Sequence, residues 1–171
     1  IGITGAPTGE MFQLTERNTL LQNGMATLTA VASVVQIERE VTNYRVNKYG
    51  EQDLSYVDCE TLFTTAYVLR YLKGLITSKY GRHKLANDGT KFGPGQAIVT
   101  PKIIRSELTV AYAKLEYQGI VENATIFERY LVVERDTDNV NRINVLFPPD
   151  YVNQLRIFAL LNQFRLQYQE A

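Results

Sequence analysis

Thr100-Pro101-Lys102-Ile103-Ile104-Arg105-Ser106-Glu107-Leu108-Thr109-Val110-Ala111-Tyr112-Ala113-Lys114-Leu115-Glu116-Tyr117-Gln118-Gly119 carries the start, the buried face and the stop of a helix in its own letters. Thr100 offers a capping hydroxyl, and Pro101 stands in the first turn, where a missing N–H costs nothing. Ile104, Leu108, Ala111 and Leu115 recur at three and four residues, one stripe for a core. Gly119 supplies the left-handed stop. A second helix of the same kind is predicted over residues 60–80, capped by Asp58 or Thr61, with Leu62, Ala66, Leu69, Leu72 and Ile76 as its stripe.

Outward from these helices the chain reads as strands. Residues 130–135 and 143–147 flank the polar turn 136–141, which predicts a hairpin. A short helical turn precedes them near 122–128. On the amino-terminal side, residues 26–45 are rich in Thr, Val and Ile. There Val35, Ile37 and Arg39 fall on one face and Gln36, Glu38 and Glu40 on the other, with a turn between two strands near Ala32-Ser33. Residues 14–24 predict a short helix capped by Thr15 and stopped by Gly24. Residues 1–11 are Gly-, Pro- and Thr-rich and read as extended or loop-like. The expected class is α+β: a mixed sheet flanked by two main amphipathic helices.

The terminal stretch Leu155-Arg156-Ile157-Phe158-Ala159-Leu160-Leu161-Asn162-Gln163-Phe164-Arg165-Leu166 is strongly apolar although it lies close to the end. Chain ends are ordinarily polar and frayed unless something ties them down. Read as a strand, its first half is apolar on both faces, and such a strand needs cover on both. Ile157, Leu160, Leu161 and Phe164 also match helical spacing; the strand is the favoured reading. The cover would come from this domain or from another subunit.

Size and composition narrow the rest. The 171 residues suffice for one domain with a real core, and 45% hydrophobic with 21% charged residues is a globular balance. Lys+Arg and Asp+Glu stand at 18 each, so no global field points to nucleic acid or an anionic membrane. No apolar run is long enough to span a bilayer. Zero net charge removes the self-repulsion that keeps many proteins apart, which suits something built to assemble. The single Cys59 cannot form an internal disulfide, and the single His83 cannot anchor a conventional metal site. Both fit folding in a reducing compartment. The opening Ile1-Gly2-Ile3-Thr4-Gly5-Ala6-Pro7 reads like the interior of a longer protein.

No group of residues supports catalysis. The Gly-rich stretch 88–96 lacks both phosphate-loop spacings, and Pro94 removes an N–H that an anion nest needs. His83 sits between Arg82 and Lys84, with no nucleophile or orienting carboxylate beside it in sequence. Glu134, Asp136 and Asp138 read first as solvated turn formers. A small carboxylate/His hydrolase using those acids around His83 is the runner-up, and it requires them to converge in one pocket. A nucleic-acid surface built from Arg82, His83, Lys84, Lys91 and Lys102 would need one contiguous basic face. Cys59 reads as a packed small residue.

The run Arg82-His83-Lys84-Leu85-Ala86-Asn87-Asp88-Gly89-Thr90-Lys91-Phe92-Gly93-Pro94-Gly95-Gln96-Ala97-Ile98-Val99-Thr100-Pro101 resembles the corresponding run of tail sheath proteins from Mu-like contractile-tailed phages. So do Phe12-Gln13-Leu14-Thr15-Glu16-Arg17-Asn18, Ile37-Glu38-Arg39-Glu40-Val41-Thr42-Asn43-Tyr44-Arg45 and Pro148-Pro149-Asp150-Tyr151-Val152-Asn153-Gln154-Leu155-Arg156. The resemblance implies one carboxy-terminal sheath domain of a longer protein over residues 1–171, with an extended amino-terminal segment 1–13 and a terminal strand or arm 150–171. It implies a structural, non-enzymatic virion subunit without cofactors, assembled in the bacterial host cytoplasm into the tail. Its implied partners are neighbouring sheath subunits through terminal arms, the inner tail tube protein, and baseplate and tail terminator proteins. Nucleic acid and a membrane anchor are not among them. Sheaths of phage-derived bacteriocins and other contractile injection systems share the pattern. Under this resemblance Leu155, Ile157, Phe158, Leu160, Phe164 and Leu166 form an inter-subunit strand, and Lys102 and Arg105 are candidates to face the tube.

Overall fold

The computed structural model describes residues 5–31 and 34–165. Helix α1 (Leu14–Gln22) leads into strands β1 (Thr27–Val31) and β2 (Val34–Arg39), an antiparallel hairpin. Helix α2 (Cys59–Tyr80) follows, then the short strands β3 (Lys84–Leu85) and β4 (Ile98–Val99), which pair in parallel. Helices α3 (Pro101–Tyr117) and α4 (Ala124–Tyr130) precede the antiparallel hairpin of β5 (Val132–Arg135) and β6 (Ile143–Leu146). The fold class is α+β, as its sequence predicts. Parallel and antiparallel pairing both occur, but in three separate two-stranded ladders, because no described strand lies between them to join their edges.

α3 is built as read. The Thr100 hydroxyl accepts from the Ile103 N–H at 3.4 Å, and Pro101 fills the first helical position. Gly119 turns the chain out with φ +71°. Ile104, Leu108, Ala111 and Leu115 are all buried, together with Tyr112. Around them Val68 and Leu72 of α2, Val99, Val121, Phe127 and Leu131 complete the core. Tyr112 and Phe127 stack with ring centroids 3.7 Å apart and 6° between planes, and Phe147 meets the Phe127 ring edge-on at 5.0 Å. Burial of this apolar area is the main favourable term holding α2, α3, α4 and β5 together.

Two local expectations are corrected. α1 begins two residues earlier than a Thr15 cap requires: Gln13 takes the cap position, and its N–H donates to the Glu16 carboxylate at 2.7 Å. The reciprocal Gln13/Glu16 bonding satisfies the Gln13 and Glu16 N–H groups, so the helix starts ahead of Thr15. Asp58 stands at the α2 cap position but makes no capping bond with its side chain. Arg39 takes that carboxylate instead, through Nε at 2.9 Å and a second guanidinium nitrogen at 3.1 Å. Two bonds to a guanidinium cation outcompete a single bond from the same carboxylate to an uncharged backbone N–H. The long 82–99 loop is tied at its ends by β3 and β4, where Lys84 N–H donates to the Ala97 carbonyl and Ala86 N–H to that of Val99. The turn predicted at Ala32-Ser33 lies outside the described residues.

Candidate assembly interface

The terminal stretch begins in an ordered place. Tyr151 bridges Val121, and the Val152 N–H donates to the Ile120 carbonyl at 3.2 Å. Beyond that, residues 152–165 carry neither helix nor ladder pairing. A strand is completed by a neighbouring edge, and no edge of the described chain pairs with this segment. Leu155, Ile157, Phe158, Leu160 and Phe164 are between 76% and 84% exposed. Leu166, the sixth residue of the expected inter-subunit strand, lies outside the described residues. Large apolar side chains exposed in succession are a hallmark of surfaces that meet another protein.

A complementary surface lies on the body. Of the stripe expected to bury α2, only Leu72 is buried, and Val68, outside that stripe, joins it in the core, whereas Leu62 and Leu69 stay 39% and 56% exposed. Leu69 follows Val68 by one residue, so its side chain points roughly 100° round the helix. Leu69 and the core residue Leu72 both border a groove of about 390 Å³, whose lining also includes Ile76, Ile104, Val145 and Phe147. β6 forms one wall and pairs only with β5, which leaves its other edge without a ladder partner among the described strands. Val145 and Leu146 are correspondingly 42% and 63% exposed.

The whole molecule shows the same imbalance. Its solvent-accessible surface is 13,869 Å² for 19.4 kDa. A compact monomer of that mass would show roughly 8,500 Å². The excess lies in surfaces such as the terminal segment and the β1–β2 hairpin, where Leu28, Val31, Val34 and Ile37 are all more than half exposed.

The candidate tube-facing residues share one place. Lys102 and Arg105 line a hollow of about 610 Å³ beside the start of α3, with Asp88, Ser106 and Glu128. Asp88 accepts from the Lys102 backbone N–H at 3.0 Å, and that bond, followed by one from Thr100, holds its carboxyl below the usual range. Arg105 is partly occupied at home, since its guanidinium donates to the Glu128 carbonyl at 2.8 Å.

Residues of the rival readings have local duties. Asp136 accepts from the Asn139 and Asp138 N–H groups and the Asn144 amide, which hold its carboxyl low in the manner of a turn former. The Cys59 thiol is pushed up by burial and by Glu40 and Asp58, the opposite of an activated thiolate. His83 lies edge-on to Tyr80 with centroids 5.3 Å apart. None of the four hollows described is lined by His83, Glu134, Asp136 or Asp138. Among the described residues no group of three or more His, Cys, Asp or Glu is placed to hold a metal, and no helix is long and apolar enough to cross a membrane.

Residues 51–165 match the phage tail sheath C-terminal domain family. The chain belongs to the phage tail sheath family. A Mu-like prophage tail sheath protein of Haemophilus influenzae is 49% identical over 158 residues, which is 92% of this chain and 32% of that protein. The chain thus spans about a third of the length of the curated relative it matches and corresponds to the carboxy-terminal portion of a Mu-like tail sheath. Sheath proteins of this family are structural. The β1–β2 hairpin precedes the family match, whereas the groove, α2–α4 and the terminal segment all fall within it.

Sequence reading located the apolar terminal segment but missed the groove. Val145 and Phe147 read there as ordinary hairpin residues, and the exposed second stripe on α2 was the available signal. It also missed Arg156, the one charge in an otherwise apolar run from Leu155 to Leu161.

Proposed function

We propose that this chain is the assembly-forming part of a structural subunit of a contractile tail sheath, which polymerises around an inner tube and contracts to drive it through the host envelope. One observation carries the reading: the same chain holds an exposed apolar segment and an unfilled apolar groove beside an open strand edge. A neighbouring subunit's terminal segment laid along β6 would gain backbone hydrogen bonds from the edge and side-chain burial from the groove. Leu155, Ile157, Phe158, Leu160, Phe164 and Leu166 are the residues offered for this strand. Because donor and acceptor surfaces differ, the contact is head-to-tail, and it propagates into an open assembly where the rotation between subunits does not close a ring. It needs no catalytic residue or cofactor.

In this reading the subunit sits in the virion tail after assembly in the host cytoplasm. Its partners are copies of itself, the inner tube protein, and the baseplate and terminator proteins at the two ends. Lys102 and Arg105 present cations toward the tube, a screened contact weak enough to release. Nucleic acid and membrane have no part.

Sedimentation and electron microscopy of the intact chain beside a truncation removing Leu155 to Ala171 test the proposal. Assemblies formed by the intact chain and lost on truncation, with an unchanged melting temperature, are the expected result. A truncated chain that folds and still polymerises overturns it.

A further inference from the structure

The root of the terminal segment meets a four-charge cluster drawn from three parts of the chain. Asp58 at the head of α2 is gripped from one side by Arg39, through both of its oxygens, and by the backbone bridge between Val41 and Asp58. From the other side Arg156 approaches the same Oδ1 at 3.2 Å and pairs with Glu60, 96 residues away in sequence. The two arginines and two carboxylates balance in charge. All four side chains are between 22% and 36% exposed, neither sealed from water nor fully open to it.

The surroundings give the cluster something to move. Five residues upstream, the Val121–Tyr151 bridge and the Val152–Ile120 hydrogen bond fix the chain to the body. Immediately downstream, Ile157, Phe158, Leu160 and Leu161 are at least 76% exposed and unpaired. Between root and helix lies a hollow of about 620 Å³ bordered by Leu54, Thr61, Thr64, Tyr151 and Ile157, so apolar packing does not set the direction in which the segment leaves. An ion pair of intermediate exposure is screened by salt and opens at modest cost, whereas the bridge behind it is held by backbone bonds.

We propose that Arg156 is a releasable clasp: paired with Asp58 and Glu60 it fixes the bearing of the terminal arm, and when it lets go the arm swings from the pivot at Tyr151–Val152. The inference rests on the reading of this segment as an inter-subunit arm, and it adds a residue-level device that lets one arm serve two subunit spacings. Arg39 stays on Asp58 in both states, so release removes a cation from the cluster without unmaking the head of α2.

Spin-label distance measurements on the dilute monomeric chain test it, with Ser78→Cys and Asn162→Cys in a Cys59→Ser background. At low salt a narrow distance population is expected, lost in Arg156→Ala and in Arg156→Glu. Glu60→Arg added to Arg156→Glu restores it by reversing the pair. A distribution unchanged by Arg156→Ala, or one already broad at low salt, overturns the clasp. If a variant fails to fold, the unmodified Arg156 chain decides: a population that does not broaden between low and molar salt overturns the proposal, because screening at molar salt reaches these half-exposed groups. The arm's role in assembly is judged separately by the truncation. An unaltered distance population beside truncation-sensitive assembly removes the clasp and leaves the arm standing.

Discussion

The Tyr112 hydroxyl accepts from the Asp150 N–H at 3.1 Å and donates to the Glu122 carbonyl at 2.7 Å. One completely buried ring thus ties α3 to the two segments flanking α4 and β5–β6, just before the chain turns into its terminal arm. Tyr112→Phe keeps the stack on Phe127 and removes both bonds, with an expected loss of about 1–2 kcal/mol. Tyr112→Ala also empties the stack and costs about 3–5 kcal/mol. Urea midpoints order the two variants below the parent chain, and a Tyr112→Phe midpoint equal to the parent's would show that the hydroxyl contributes nothing.

The two apolar faces of α2 separate folding from assembly. Val68→Ala, at a fully buried position outside the groove lining, opens a cavity in the core and is expected to cost about 2–3 kcal/mol. Leu69→Ala, on the groove side, should change monomer stability by less than about 0.5 kcal/mol. It should nevertheless raise the concentration at which the chain sediments as polymer. Thermal melts and sedimentation on both variants check this; a Leu69 variant that melts low but polymerises normally contradicts it.

Glu107 receives two charge-assisted bonds from the Lys79 ammonium, at 2.7 and 2.8 Å, and one from the Tyr80 hydroxyl at 3.0 Å. The Lys79 bonds, aided by Tyr80 and only partly offset by burial, hold its carboxyl below the usual carboxylate range. A group depressed in the folded state stabilises fully above its unfolded pKa, and that contribution is lost as pH falls through the folded value. Glu107→Gln should therefore flatten the acid side of the stability–pH curve and leave neutral pH altered by less than about tenfold in the folding constant. An identical acid limb in both proteins would count against it.

Reversal at the start of α3 probes the tube contact. Lys102→Glu is expected to weaken binding to purified tube protein and to reduce the salt dependence of that binding, while leaving self-assembly intact. Arg105→Ala should act more weakly, since part of its guanidinium already serves the Glu128 carbonyl. Co-sedimentation across a salt series reads both; binding unaffected by Lys102→Glu places the tube contact elsewhere.

The helices, the two hairpins and the α+β class were legible in sequence because each is written in local spacing, and the family resemblance because whole runs such as Arg82 to Pro101 are alike. Thr100, Pro101 and Gly119 mark their own ends, and the α3 stripe repeats at helical intervals whatever surrounds it. α2 was harder: it carries two apolar stripes about 100° apart, and either satisfies the periodicity. Only the position of α3 decided that Val68 is core, that Leu72 is buried at the groove floor, and that Leu69 is left on the groove's exposed side. Likewise Asp58 has the right letter for a cap, and it took Arg39, brought from β2 by the fold, to claim it.

By itself the sequence determined that the terminal segment is too apolar to be left in water. It could not determine what the segment does about it, because a strand is defined by its neighbour's edge and not by its own residues. The tertiary structure supplied that answer in part: it placed the root against Asp58 and Glu60, left residues 157–164 outside any ladder of the described chain, and kept an edge at β6 open. The physical reason is range, since propensity and periodicity act over a few residues, whereas Arg156 and Glu60 meet across 96.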